Sequence, residues 1–202
     1  MAEITAALVK QLRELTDAPM MACKKALEDA GGDLQKAADL VRERTGAKMD
    51  ARAGERTASE GIVYSYLHTP NPGMPAKVGV MLQLHCETDF VAKTEKFEQL
   101  ARDISMHIAA MKPLVVSEAD VDAELLEKEK EFARKEAAES GKPADIVERI
   151  IDGKVKKFFE ESVLLNQRYV KDDSKTIAQL ISDVQAVTGE KIEVARFARY
   201  EI

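Results

Sequence analysis

The sequence predicts an α+β fold, and three observations carry that expectation. Apolar residues recur at three-four spacing over three short segments of the first 46 residues, the period of helices with one buried side. Farther on, Val78, Val80, Leu82, Leu84 and Cys86 alternate strictly with Gly79, Met81, Gln83, His85 and Glu87, the period of a strand with one buried face. A long amphipathic stretch follows that strand, and the chain closes on a β segment holding Ile192, Val194 and Phe197.

In the first segment Ile4, Leu8, Leu12 and Leu15 share a helical face. Thr5 is the candidate N-cap, with Ile4 and Val9 placed to form a hydrophobic staple across it. A second helix restarts at Asp17-Ala-Pro19, because Pro is tolerated in a first turn. Met20, Cys23, Leu27 and Ala30 give it a buried side before Gly31 and Gly32 stop it. Asp33 caps a third helix carrying Leu34, Ala37, Ala38 and Val41, expected to close at Thr45-Gly46. Residues 1–46 thus form a small bundle. The pair Met20 and Met21 at its helix junction suits an adaptable apolar contact or, equally, core filling, since Met serves both.

Residues 47–59 are small and charged, the composition of a linker or of a frayed helical extension, and a body of residues 60–202 follows. It opens with a strand from Gly61 to His68, a loop holding Pro70, Pro72, Gly73 and Pro75, and the alternating strand from Lys77 to Glu87, together a long-looped hairpin. One helix is then expected from Asp89 to about Lys112, its stripe made by Phe97, Leu100, Ala101, Ile104, Ile108 and Met111. Thr88 is its N-cap and Asp89 suits the positive end of its dipole. Phe90 lies before the stripe and is expected to point outward. Ser117 caps a highly charged helix through Glu139, Ser140 to Pro143 break it, and a short helix with Ile146, Ile150 and Ile151 precedes an amphipathic stretch from Val155 to Leu165. Asp173 or Ser174 caps a last helix with Ile177, Leu180, Ile181, Val184 and Val187.

Composition sets limits on function. A chain of 202 residues, 45% hydrophobic and 33% charged, is long enough for one substantial core, or for a core plus a small satellite domain. A net charge of -6 with cations interleaved among more numerous acids argues against a nucleic-acid surface. Cys23 and Cys86 have no paired spacing and read as reduced thiols, and no apolar run approaches the ~18 residues of a membrane span. A cytoplasmic protein is expected.

The densest cluster of reactive side chains is His85, Cys86, Glu87 and Asp89, and strand geometry dismantles it. Adjacent residues point to opposite faces, so Cys86 does not reach His85, while His85 and Glu87 alone are too few ligands for zinc. No glycine-rich phosphate loop is present either. The residues call for no catalytic group, no cofactor and no resident metal; the chain is expected to work by contact.

Three motifs resemble one family. The opening ten residues with Pro19-Met-Met-Ala-Cys-Lys-Lys-Ala-Leu27, then Cys86-Glu-Thr-Asp-Phe-Val-Ala-Lys93, and finally Val170-Lys-Asp-Asp-Ser-Lys-Thr176, are similar in type and order to elongation factor Ts. The resemblance spans nearly the whole chain. It implies a ubiquitin-associated-like three-helix domain, then a core of a small antiparallel sheet packed with helices. The implied activity is guanine-nucleotide exchange on the translational GTPase elongation factor Tu. Carried over by position, it implies partner contacts at Leu12, Met20 and Met21 in the first domain. It implies an exchange wedge at Thr88, Asp89 and Phe90, with Asp89 and Phe90 pushing in near the partner's magnesium site. A shorter match, Tyr66-Leu67-His68, implies a contact at His68, for which an ordinary strand-terminal His is the alternative. The chain departs from the family in carrying Pro19 where Gly is usual. It also looks like a short form, without the second half-core and coiled-coil insertion of longer members, which implies a homodimer. Two other classes remain open: an adaptor that binds a partner without changing its nucleotide state, and a thiol enzyme dependent on Cys86.

Overall fold

Helix α1 (Ala6–Thr16) begins where Thr5 Oγ1 accepts the Leu8 amide at 3.3 Å, and Ile4 packs on the bundle core beside buried Val9, as a staple requires. The computed structural model describes residues 4–16, 18–52, 56–71, 73–139 and 144–202. Asp17, Ala53 to Glu55, Pro72 and the break from Ser140 to Pro143 lie outside the described residues, as do Met1 to Glu3.

Helix α2 (Met20–Asp29) takes Pro19 as its N-cap, with φ −56°, and the Pro19 carbonyl accepts the amides of Ala22 and Cys23. It ends at Gly31 and Gly32, whose positive φ values let their amides turn back to the carbonyls of Glu28 and Leu27. Helix α3 (Leu34–Arg52) is capped by Asp33, whose Oδ1 accepts the Lys36 amide at 3.0 Å. It does not close at Thr45-Gly46. A single helical Gly costs only about 1 kcal/mol, so the helix carries on into the stretch that composition reads as linker or helical extension. Leu12, Cys23, Ala26, Leu27, Ala37 and Val41 are buried together between these helices.

Two compact units make up the chain. One comprises Met1–Ile62, Leu84–Leu100 and Gln179–Glu193, and the other Val63–Gln83, Ala101–Ala178 and Val194–Ile202. Strands β1 (Glu60–His68) and β2 (Val78–Cys86) belong to an antiparallel sheet of order β1-β2-β5, where β5 is Glu193–Glu201. The alternation of β2 is realised as expected: Val80, Leu82, Leu84 and Cys86 are buried and Met81 is exposed. Gly61 is required where β1 passes β2. At its φ of +146° a Cβ would lie 2.1 Å from the Leu84 carbonyl oxygen.

The helix expected from Asp89 to Lys112 is two helices, α4 (Asp89–Ala92) and α5 (Glu95–Met111). Thr94 divides them, its hydroxyl donating to the Val91 carbonyl at 2.8 Å and accepting the Phe97 amide at 3.3 Å. In α5, Phe97, Leu100, Ala101, Ile104 and Ile108 are buried, whereas Met111, the expected last member of the stripe, is exposed at the helix end.

The charged region also divides differently. Ser117 caps one 3-10 turn, Glu118–Asp120, in a reciprocal capping box with Asp120, and Asp122 caps α6 (Ala123–Glu139) by accepting the Leu125 amide at 3.0 Å. The two segments expected after it are one helix, α7 (Ala144–Ser162), which packs on α6. Its helix-weakening Gly153 is accommodated without a break.

Residues 168–176 form a hairpin, β3 (Arg168–Tyr169) and β4 (Asp172–Thr176), with Tyr169 opposite Asp172. This corrects the expectation that Asp173 or Ser174 caps the last helix, α8 (Ile177–Thr188). The polar run is strand β4, entered from the turn at Val170 and Lys171, and in it Asp172 Oδ1 accepts from the amide and hydroxyl of Ser174.

Candidate partner-binding site

Strand β2 delivers the chain to the Cys86–Lys93 element and buries its last side chain. The Cys86 thiol is inaccessible, donates to the Thr88 carbonyl at 3.1 Å, and is pushed up in pKa by burial first and by the Glu190 charge second. A protonated, enclosed sulfur is a poor nucleophile, so this thiol is structural. Thr88 adopts the extended backbone of an N-cap and its Oγ1 accepts the Val91 amide at 3.4 Å.

The next two residues are both exposed, Phe90 as expected. Asp89 pairs with Lys93 one turn on at 2.6 Å, and that hydrogen bond with the accompanying charge holds the Asp89 carboxyl below its ordinary range and Lys93 above its own. Phe90 is 81% exposed on a four-residue helix that buries none of its side chains. An aromatic side chain surrenders more apolar area to water than almost any other when left out, so nothing in the packing of this chain accounts for it.

A contribution that the sequence reading missed comes from about 100 residues downstream. Glu190 Oε1 accepts the Thr88 hydroxyl at 2.6 Å, and its Oε2 accepts the amides of Glu87 and Thr88 at 3.1 and 3.0 Å. Glu87 replies, its Oε1 accepting the Lys191 amide at 2.6 Å and lying 3.3 Å from Arg56 Nε, while Arg56 Nη1 donates to the Gly189 carbonyl at 3.0 Å. No local spacing pattern announces a pairing at this separation.

On the helix bundle, Met20 and Met21 are 59% and 74% exposed, which decides between the two readings of that pair in favour of surface and removes Met20 from the buried side of α2. With Ile4 and Val9 they line an apolar groove of about 340 Å³, rimmed by Lys10, Arg13 and Lys24. Leu12 requires a correction. It has no exposed area and sits in the bundle core, because its position on α1 faces α2 and α3, so it offers a partner no atoms. Leu15, expected on the same buried stripe, is 67% exposed instead. His68 is exposed at the end of β1, with its Nδ1 3.2 Å from the Tyr66 hydroxyl.

Among the described residues no three His, Cys, Asp or Glu side chains converge to hold a metal, and no helix is long and apolar enough to cross a membrane. What is displayed is a set of exposed apolar side chains, an arrangement suited to protein contact. The class is that of α+β proteins with a helical bundle and a projecting Thr-Asp-Phe turn.

The chain belongs to the elongation factor Ts family, whose model, described as Elongation factor TS, matches residues 2–202. Proteins named Elongation factor Ts are similar along its whole length. That of Desulforamulus reducens is 48% identical over 202 residues, covering 100% of this chain and 90% of the relative. Over the same 202 residues that of Oleidesulfovibrio alaskensis is 48% identical, covering 100% and 99%. That of Thermotoga maritima is 47% identical over 200 residues, covering 99% of this chain and 96% of the relative.

Proposed function

We propose that this chain is a guanine-nucleotide exchange factor in the cytoplasm, binding elongation factor Tu in its GDP form and promoting GDP release so that GTP can load. The observation that carries the reading is Phe90, 81% exposed in a turn whose backbone is held from both sides. Asp89 and Phe90 act as the wedge, displacing groups that support the partner's magnesium ion and loosening its grip on the phosphates.

Energetics require more than the wedge. Burying one Phe contributes about 1.5 to 3 kcal/mol, whereas a nanomolar nucleotide is held by about 12 kcal/mol. The remainder comes from footprint, and Met20 and Met21 on the bundle of residues 1–46 supply a second anchor. Leu12 contributes by holding α1 in place beneath them, and His68 adds a polar contact. Because coupling is reciprocal, a factor that weakens nucleotide binding is itself bound more weakly by the nucleotide-loaded partner.

The proposal includes a homodimer. Leu67 leans over Gly79 within β1 and β2, and Arg196 of β5 donates to Gln83 at 2.8 Å, which puts Val63, Leu67, Met81 and Tyr200 on one exposed sheet face by strand parity. A face of that kind is suited to a second copy. Sedimentation equilibrium tests it: Leu67→Glu is expected to yield monomers, and a parent protein that is already monomeric at tens of micromolar would refute it.

Exchange is tested by mixing the protein with elongation factor Tu loaded with fluorescent GDP. Phe90→Ala is expected to bind the GTPase yet release GDP slowly. Release at the parental rate with binding intact would dismiss the wedge, and stable binding with no acceleration by the parent protein would make the chain an adaptor.

A further inference from the structure

We propose that Glu190 is a positioning residue for exchange: its carboxylate, without touching the partner, holds the Thr88-Asp89-Phe90 turn in the conformation that presents the wedge. The inference rests on the reading of Asp89 and Phe90 given above.

A four-residue helix has no stability of its own, since nucleation fixes several residues for a single hydrogen bond. No side chain of α4 is fully buried, and with Val91 and Ala92 only half-buried, packing places it weakly. Phe90 therefore stands where its backbone stands, and between the buried Cys86 and α4 that backbone is fixed chiefly by hydrogen bonds. Three of the donors there, the amides of Glu87 and Thr88 and the Thr88 hydroxyl, converge on the one carboxylate of Glu190. Hydrogen bonds to an ionised acceptor are about twice as strong as neutral ones, and three on one group leave the turn little freedom.

The geometry of Thr88 shows why the carboxylate matters to its cap. A hydroxyl donates once. By giving its proton to Glu190 Oε1, Thr88 Oγ1 turns its lone pairs to the Val91 amide and so starts α4. Glu190 thus sets the hydroxyl rotor as well as the backbone.

Glu190 is itself held. The segment from Gly189 to Ile192 follows α8, with Gly189 in a left-handed conformation and its amide bonded to the Gln185 carbonyl. Arg56 grips the Gly189 carbonyl and lies against Glu87, and Glu87 accepts the Lys191 amide. Each segment thus donates a backbone amide to the other's glutamate. Such a reciprocal latch fixes the two segments against one another more firmly than an exposed ion pair does, because four of its contacts end on backbone or on the cap hydroxyl.

The test compares Glu190→Ala, Glu190→Asp and Glu190→Gln in the full chain, each alone and with Phe90→Ala, by GDP release from elongation factor Tu at saturating factor. Glu190→Ala is expected to slow maximal release about tenfold or more, within the roughly hundredfold that a misplaced functional group can cost. Glu190→Asp, one methylene short of the amides, should lie between Ala and parent. Glu190→Gln keeps an acceptor for both amides but turns an NH2 donor toward the Thr88 hydroxyl and loses the charge, so it should recover only part of the rate. The decisive readout is coupling: in the Phe90→Ala background, removing Glu190 should cost little more, because its effect runs through the wedge. Parental release by both Glu190→Ala and Glu190→Asp would overturn the proposal, as would losses that multiply independently with that of Phe90→Ala. Should Glu190→Ala fail to fold by circular dichroism, the Asp and Gln pair decides the matter. If Phe90→Ala itself exchanges at the parental rate, the wedge reading falls and takes this proposal with it. If Phe90→Ala is slow and the Glu190 variants are not, the positioning role alone is refuted.

Discussion

Gln167 Oε1 lies 2.9 Å from His107 Nε2, and neither side chain reaches solvent. The Val170 amide donates to the other ring nitrogen at 3.2 Å, so Nδ1 is unprotonated and Nε2 carries the hydrogen. Gln167 passes its own amide hydrogens to the carbonyls of Glu161 at 2.6 Å and Met111 at 3.4 Å. A neutral imidazole thereby ties α5 to the chain around the β3–β4 hairpin.

This arrangement makes stability depend on pH. Burial holds the His107 imidazole below its ordinary value of 6.5, outweighing the opposite pull of Gln167. Between that lowered value and 6.5 the unfolded chain binds more proton here than the folded chain. The contribution is complete above 6.5 and declines as pH falls through the window, by up to about 1.4 kcal/mol per pH unit. Urea unfolding at pH 7.5, 6.5 and 5.5 for the parent and for His107→Asn should show a gap between them that narrows with acid. A gap that stays constant across that range would contradict the assignment.

Gly61→Ala should be among the most damaging small substitutions. The added methyl would meet the Leu84 carbonyl in a backbone conformation that Ala disfavours, and a loss of about 3 kcal/mol is expected. Thermal unfolding measures it, with Gly153→Ala as the control: at that helical position a Cβ meets nothing and stability should rise slightly.

Phe90→Ala should separate stability from function. The ring touches too little of this chain to support it, so the unfolding midpoint should move by less than about 0.5 kcal/mol. A loss of 2 kcal/mol or more would mean that the ring is a packing residue.

Leu12 and Met21 should behave in opposite ways although both stand in the helix bundle. Leu12→Ala opens a cavity in the bundle core and should cost about 2 to 5 kcal/mol of stability there. Met21→Ala should leave stability unchanged and weaken binding of elongation factor Tu several-fold, read by titration calorimetry. The reverse pattern would place the anchor elsewhere.

Cys86→Ser should lower stability by about 1 to 3 kcal/mol, since a hydroxyl enters a fully buried site, and leave exchange at the parental rate once folded. Slow alkylation of the parent thiol under native conditions and fast alkylation in urea check the burial. Loss of exchange in a folded Cys86→Ser protein would revive the thiol-enzyme class.

Period and local chemistry made several elements legible in advance. The alternation from Val78 to Cys86, the caps at Thr5, Asp33 and Thr88, and the outward Phe90 all follow from neighbours within a few residues. Where the reading went astray, a competing local bond decided. Thr94 broke one helix in two, Asp122 displaced Ser117 as the cap of α6, and Asp172 with Ser174 bonded to each other within strand β4 where a cap was expected. These residues serve several backbone roles about equally well, and spacing does not choose among them.

The amino-acid sequence by itself determined the α+β class, the motifs that mark the family, and the residues this fold has no packing use for, because each depends on residue type and short-range periodicity. Only the tertiary structure decided that Leu12 is enclosed while Met20, Met21 and Leu15 are open, since a helical stripe is wider than the face a small bundle buries. It alone brought Glu190 to Thr88, because a hydrogen bond between residues 102 positions apart leaves no trace in local pattern and forms only when the chain has folded.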